Sequence, residues 1–244
     1  AEALYREVLA GFTAQYGESH EKTLATKNNL AVLLKDKNSP EAEALYAEVL
    51  AGFTTHYGES NMQTLNTKFN LALLLQEKGT PESQARAEVM YREVLAACTT
   101  HYGEGHVETL RTKQGLALLL QYKGIPEAFV QAEALHREVL AGRTAHYGES
   151  HVETLKTKEN LATLMAEKCT PESVAQAEAL YREVLAGNTA HYGEGHVETL
   201  RTKLNLAFLL KDVRTPESLE EAGALLRDVI AGFTAHYGQS HVET

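Results

Sequence analysis

Apolar residues at the start of the chain fall at Ala1, Leu4, Tyr5, Val8, Leu9 and Phe12, the three-and-four spacing of one helical face. The pattern returns. Its tyrosine position recurs as Tyr5, Tyr46, Tyr91, His136, Tyr181 and Leu226, first after 41 residues and then four times after 45. Between these segments lies a second type, Thr-Leu-x-Thr-Lys-x-x-Leu-Ala-x-Leu-Leu, whose apolar positions also keep helical spacing. The pattern predicts an all-α chain of alternating helices. The shorter first interval compares NSPEAEALY with GTPESQARAEVMY. Four extra residues are about one helical turn, so the later copies should start this helix one turn earlier.

Start and stop signals sharpen the boundaries. Thr80-Pro81-Glu82, Thr170-Pro171-Glu172 and Thr215-Pro216-Glu217 combine a capping hydroxyl, Pro at the first helical position and an acid in the first turn. Ser39-Pro40-Glu41 is expected to act alike, and Ser60-x-x-Gln63 and Ser150-x-x-Glu153 read as capping boxes for the other helix type. Gly79 and Gly124 are expected to end that second type, and the glycine after each Tyr to end the first in a left-handed cap. The stretch HYGEGHVETLRTK stands unchanged at 101–113 and at 191–203. It spans a helix end, a glycine turn, a cap and a helix start, so a repeated tight corner between packed helices accounts for its identity.

NNLAVLL at 28–34, NLALLL at 70–75 and NLATLM at 160–165, each joined to an AEALY-type helix and a Gly-Glu-x-His turn, resemble the tetratricopeptide repeats of kinesin light chains. That family's His-Pro is His-Val or His-Glu here, position 61 is Asn, and the residue before the Asn pair is Lys at 27, 68, 113, 158 and 203. The resemblance implies a right-handed superhelical solenoid of antiparallel helix pairs, about eleven helices in all, with the LNNLA-type helix as helix A lining a concave face and the AEALY-type helix as helix B. The chain is then one solenoid domain, 1–244. Residues 1–19 hold a lone helix B, and 20–60, 61–105, 106–150, 151–195 and 196–240 are five A/B repeats. Residues 241–244, HVET, open a further copy. With no initial Met, this predicts a piece of a longer protein. A single helix pair cannot bury its apolar stripe, so neighbours must stack.

What differs between copies points to where function resides. On helix A the variable positions are Ala25, Asn28, Val32 and Asp36; Asn66, Phe69, Leu73 and Glu77; Arg111, Gln114, Leu118 and Tyr122; Lys156, Glu159, Thr163 and Glu167; and Arg201, Leu204, Phe208 and Asp212. They draw one stripe, expected to lie opposite the Leu/Ala packing face. The stripe reads either as a partner-binding groove or as drift on a solvated face; Phe69, Leu73, Leu204 and Phe208 are apolar for the latter. Beside it run Asn29, Asn70, Asn160 and Asn205, with Gly115 breaking the series. In the resembled family this Asn contacts the backbone of a bound peptide, and an amide can donate and accept at once; the alternative is an Asn bonded to the neighbouring helix. Four of the five helix A segments are net positive in a chain of net charge −10, with Arg111, Lys156 and Arg201 at equivalent places. An acidic or apolar peptide is the natural complement, as the resemblance also implies. The recurrent lysines are expected to meet Glu48, Glu93, Glu138, Glu183 and Asp228 in a structural charge ladder.

The remaining composition mostly excludes. The acidic balance argues against nucleic-acid partners, and no apolar run reaches the ~18 residues a membrane span needs. Cys98 and Cys169 form no framework, which suits a reducing, cytoplasmic setting. The pairs His101/His106, His146/His151, His191/His196 and His236/His241 could share a metal, but the copies Gln15/His20 and His56/Asn61 each lose one member. Turn-capping histidines are the simpler reading, and no catalytic residues, metal or cofactor are expected. The function expected is therefore a non-catalytic protein-interaction scaffold or adaptor. The alternative is a structural subunit held in a larger assembly by its convex face and ends.

Overall fold

The computed structural model of the chain describes residues 1–37 and 39–238. The fragment of a further repeat expected at 241–244, and His241 with it, lie outside the described residues. Eleven helices form among the described residues: α1 (Glu2–Tyr16), α2 (Glu21–Asp36), α3 (Glu41–Tyr57), α4 (Met62–Lys78), α5 (Pro81–Tyr102), α6 (Val107–Tyr122), α7 (Pro126–Tyr147), α8 (Val152–Lys168), α9 (Pro171–Tyr192), α10 (Val197–Val213) and α11 (Pro216–Tyr237). Even-numbered helices are of type A and odd-numbered ones of type B. Among the described residues there is no strand. The 17-residue α3 against the 22-residue α5, α9 and α11 shows the four extra residues entering as an earlier helix start.

The chain divides into two compact units, residues 1–119 and 120–244. In the first, α1 packs on α2, α2 on α3, α3 on α4 and α4 on α5. Leu30, Ala31 and Leu34 of α2 and Ala42, Tyr46 and Val49 of α3 are buried, and Leu24, Val49 and Phe53 form one apolar cluster. In the second, α8 packs on α7 and α9, and α10 on α9 and α11. Leu161, Ala162 and Met165 of α8 and Tyr181 and Val184 of α9 are buried there, and Leu200, Val229 and Phe233 repeat the cluster of the first unit. Each unit is thus a stack of packed helix pairs, the tetratricopeptide-type solenoid arrangement.

The Thr-Pro-Glu starts are as the sequence predicts. Thr80, Thr170 and Thr215 are N-caps whose hydroxyls accept from the backbone N–H of Ser83, Ser173 and Ser218. Two other cap expectations are corrected. The caps of α4 and α8 are Asn61 and His151, not Ser60 and Ser150: the Asn61 amide oxygen and the His151 Nδ1 accept from the N–H of Gln63 and Glu153. Their acceptors sit far enough along the side chain to reach two residues on, so the serine one place earlier is not needed. At α3 the Ser39 hydroxyl accepts from the N–H of Glu41, the first helical residue, at 3.4 Å, although the helix boundary itself falls at Pro40, which makes no side-chain bond.

The corner from helix B to helix A turns on a glycine in both units, while its side-chain bonds vary: the Thr64 and Thr154 hydroxyls are buried without a partner, and Asn61 caps α4. Gly17, Gly58, Gly103, Gly148, Gly193 and Gly238 adopt φ of 83–89° with extended ψ, a region open essentially to glycine alone rather than the ordinary left-handed cap. Thr23, Thr109 and Thr199 donate to the carbonyls of Gly17, Gly103 and Gly193 at 2.8 Å. His20, His106, His151 and His196 accept through Nδ1 from the N–H two residues on. The rings of the last three stack on Tyr102, Tyr147 and Tyr192 at centroid distances of 4.4–4.7 Å. Each corner histidine is therefore a cap held by an aromatic neighbour.

The charge ladder also forms. Lys27, Lys158 and Lys203 reach Glu48, Glu183 and Asp228 at 2.8–3.0 Å, and Lys68 reaches Glu93 at 2.9 Å. Lys27, Lys113 and Lys158 also pair with Glu18, Glu104 and Glu149 of the corners. Most of the stem of each of these lysines is buried, so the ladder links helices A and B while the carboxylates stay in water.

Candidate functional site

The variable stripe on the A helices is not uniform. Its first row (Ala25, Asn66, Arg111, Lys156, Arg201), third row (Val32, Leu73, Leu118, Thr163, Phe208) and fourth row (Asp36, Glu77, Tyr122, Glu167, Asp212) are exposed or half-buried. The second row turns inward. Phe69 and Gln114 are buried, and Asn28, Glu159 and Leu204 are half-buried. Phe69 and Gln114, read from spacing as displayed side chains, are thus inner-edge residues. Leu204 packs on the cluster of Leu200, Val229 and Phe233. The second row stands three residues after the first and four before the third, about 60° and 40° round the helix from them, enough to take it from the open face to the crease with the next helix.

In the first unit this crease is filled by aromatic packing. Phe69 meets Tyr91 edge-on at 5.5 Å, and the Arg111 guanidinium lies over the Phe69 ring at 4.0 Å. Arg111 also donates to the amide oxygens of Asn66 and Asn70, each at 3.4 Å, and pairs with Glu108 at 3.1 Å. A side chain added at Gly115 would meet the Tyr91 ring at 2.9 Å and the Phe69 ring at 3.3 Å. The break in the asparagine series thus has a steric cause: Phe69 and Tyr91 occupy the space that Asn fills in other copies. Leu73 is half-buried on the same face, and Tyr122 is 74% exposed at the end of α6.

In the second unit the crease stays open. Thr163 and Ala166 of α8, Cys169, Val174 and Tyr181 of α9, and Asn205, Phe208, Leu209, Asp212 and Val213 of α10 line a cavity of about 340 Å³. Phe208 is 49% exposed at its mouth and Lys211 lies over its ring at 5.6 Å. The Tyr181 hydroxyl is hydrogen-bonded to Thr163 at 2.9 Å inside. Asn205 donates to Glu159 at 3.1 Å, and burial pushes the Glu159 carboxyl above its ordinary range. Lys156 and Arg201 are exposed on the same face, Arg201 paired with Glu198.

The asparagines therefore differ from one another. Asn29 is exposed; Asn70 and Asn205 are engaged with side chains of neighbouring A helices; the Asn160 amide nitrogen is buried without a hydrogen-bond partner. The positive surplus counted on the A helices is likewise largely directed inward. The ladder lysines point to helix B, and Lys37, Lys78 and Lys168 pair with Glu2, Glu43 and Glu133 of the preceding B helix. What remains toward the open face is mixed: the third row is mainly apolar, the fourth carries the exposed Asp36, Glu77, Glu167 and Asp212, and Lys156 and Arg201 stand in the first.

Sequence reading did not single out the position Phe53, Cys98, Arg143, Asn188 and Phe233 as one variable core site. All five are buried. The Arg143 guanidinium donates to Thr157 at 2.8 Å and the Asn188 amide to Thr202 at 3.1 Å. The signal was present, since Phe53, Cys98, Arg143 and Asn188 each stand 14 residues before the second Thr of Thr-Leu-x-Thr-Lys. Among the described residues no group of three or more His, Cys, Asp or Glu is placed to hold a metal ion, and no helix is long and apolar enough to cross a membrane.

The packed pairs and the glycine corners give the chain a tetratricopeptide-type solenoid fold, similar to that of kinesin light chain repeats. The tetratricopeptide repeat family model matches residues 23–61. Solved structures carry the likeness along the chain. The nearly identical TPR-like repeats of a Podosopora anserina protein assigned to the kinesin light chains superpose with a TM-score of 0.72 at 21% identity, over 89% of this chain and 98% of that one. A single-residue variant of the same repeats gives 0.73 at 20% identity, over 87% and 95%. BtubC (BKLC) from P. vanneervenii gives 0.78 at 19% identity, over 98% and 92%. A search of curated proteins gives no match.

Proposed function

We propose that the chain is a non-catalytic protein-interaction scaffold whose A-helix face holds a peptide segment of a partner protein, in a reducing, cytoplasmic setting. The observation that carries this reading is the cavity of about 340 Å³ between α8, α9 and α10, with the exposed Phe208 ring at its mouth and Asn205 on its wall. An aromatic side chain half in water beside an open apolar pocket is where a partner's apolar residue gains most from desolvation. The partner segment is apolar at its centre, and its acidic residues, where it has them, meet Lys156 and Arg201. Asn160 contributes its unpartnered amide to the partner's backbone; Tyr122 stands on the A-helix face of the same unit, and Asn29, Asn70, Leu73 and Arg111 stand on the A-helix face of the first unit. Asn70 and Arg111 must exchange their present hydrogen bonds to take part. Phe69, Gln114 and Leu204 support the face from beneath.

The test is binding of the native partner to Phe208→Ala and Asn205→Ala. Loss of a hot-spot aromatic should weaken binding by about tenfold or more while the melting temperature barely moves. Unchanged affinity in both variants would overturn the reading.

A further inference from the structure

The pocket between α8, α9 and α10 presents hydrogen-bond acceptors on an apolar wall. The Thr163 hydroxyl donates to the Glu159 carbonyl at 3.0 Å. Its bond with Tyr181 at 2.9 Å therefore takes the Tyr181 proton, which leaves the phenol oxygen able only to accept. The Cys169 thiol donates to the Ala166 carbonyl at 3.3 Å. The Asn205 amide nitrogen donates to Glu159 at 3.1 Å, and the amide oxygen remains to accept. Asp212 is the only charged residue among the described residues that line the pocket; it is exposed and has no cation partner among them. Ala166, Val174, Phe208, Leu209 and Val213 make the rest of the lining apolar.

Further features of the pocket favour a cation. α8 ends at Lys168 and α10 at Val213, so both helices bring their C-terminal ends to it, where the helix dipole is negative. Phe208 and Asp212 stand four residues apart on one face of α10, and Phe208 is 49% exposed. A planar cation stacked on the ring is therefore within reach of the carboxylate. Lys211 already lies over that ring at 5.6 Å. In the first unit Arg111 lies over Phe69 at 4.0 Å and donates to the amide oxygen of Asn70, which holds the place in its repeat that Asn205 holds here.

We infer that this pocket selects an arginine side chain of the partner segment. The methylene stem lies against Val174, Leu209 and Val213, and the guanidinium stacks on Phe208 in place of Lys211. Its donors reach Asp212 and the oxygens of Asn205 and Tyr181. Arginine has five donors and no acceptor, which matches this lining, whereas an acidic residue would meet the Asp212 charge. The inference rests on the reading of the A-helix face as a peptide-binding surface and adds a basic residue to the partner. Lys156 and Arg201 stand eleven residues before Glu167 and Asp212 on the same two helices, about 16 Å along the helix axis. The segment is thereby oriented, its acidic residues toward the first pair and its arginine toward the C-terminal ends of α8 and α10.

The probes are three N-acetylated, C-amidated peptides, Leu-Arg-Leu, Leu-citrulline-Leu and Leu-Glu-Leu, titrated into the full chain and followed by backbone NMR. The arginine peptide should shift the amides of Tyr181, Phe208 and Asp212 and bind about tenfold more tightly than the citrulline peptide, which keeps the shape and loses the charge. Asp212→Asn should remove that preference with the melting temperature unchanged, and Asp212→Lys should turn it toward the glutamate peptide. Equal binding of the arginine and citrulline peptides at the pocket, or a preference that survives Asp212→Asn, would overturn the inference and leave the scaffold reading standing. Absence of shifts at the pocket with every peptide would overturn the inference as well; the scaffold reading is decided separately, by native-partner binding to Phe208→Ala.

Discussion

At the scale of single residues, the departures from the repeat are the informative places. His136 stands where Tyr46, Tyr91 and Tyr181 stand in other copies. The Tyr91 hydroxyl donates to Gln76 at 2.9 Å; the shorter imidazole leaves both of its nitrogens, and the Gln121 oxygen, buried without partners. Burial, helped by the nearby Arg143 charge, lowers the His136 pKa to about 4. The unfolded chain takes up this proton near the ordinary value of ~6.5, so neutral burial stabilises the fold fully above that pH. The contribution, about 3 kcal/mol, is lost as pH falls from there to about 4. Chemical denaturation across this window should show the slope, and His136→Tyr should flatten it, with the hydroxyl free to pair with Gln121. A slope unchanged in that variant would place the acid sensitivity elsewhere. Cys169 and Arg214 end their A helices at φ of 54° and 62°, where Gly79 and Gly124 stand in other copies. Cys169→Gly should raise stability by about 1 kcal/mol, because the left-handed conformation costs a non-glycine residue about that much; the urea midpoint would report it.

At the scale of helices, the caps and the crease decide how much sequence can disclose. Thr170→Ala should cost about 1 kcal/mol, the worth of a lost N-cap, while Ser150→Ala should cost almost nothing because His151 caps α8. Denaturation midpoints of the two variants separate the readings. Leu116→Ala, in a position 1% exposed, should cost roughly 2–5 kcal/mol. Gly115→Asn should cost about 1–3 kcal/mol by overpacking against Tyr91 and Phe69. The helix starts at Thr-Pro-Glu, the glycine corners and the lysine ladder were legible because each depends on residues close in sequence or on a strict repeat. The inward turn of Phe69 and Gln114 was not. Spacing gives the angle between rows on one helix, but the edge of the buried face depends on how closely the next helix approaches, and that is set by side chains some forty residues away. The open pocket beside Phe208 escaped sequence reading for the same reason.

At the scale of the whole molecule, near-identical repeats make stability a sum of local pair terms. No residue of α1 is buried, so its amides should exchange with solvent orders of magnitude faster than those of α4, α5, α8 and α9, as hydrogen–deuterium exchange would show. Equal protection throughout would mean that α1 is held by contacts absent from the repeat logic. The net charge of −10 is compatible with protein partners and disfavours polyanions, and the internal pairing of the lysines keeps the A-helix face from being strongly basic. The central claim is that this face, not the outer one, holds the partner. The most direct measurement is a cryo-electron microscopy structure of the chain isolated with its native companions. Density for a partner segment against Phe208, Asn205 and Tyr181 is the predicted result. An empty crease between α8 and α10, with the companions bound only to the B helices and to α1, would contradict it.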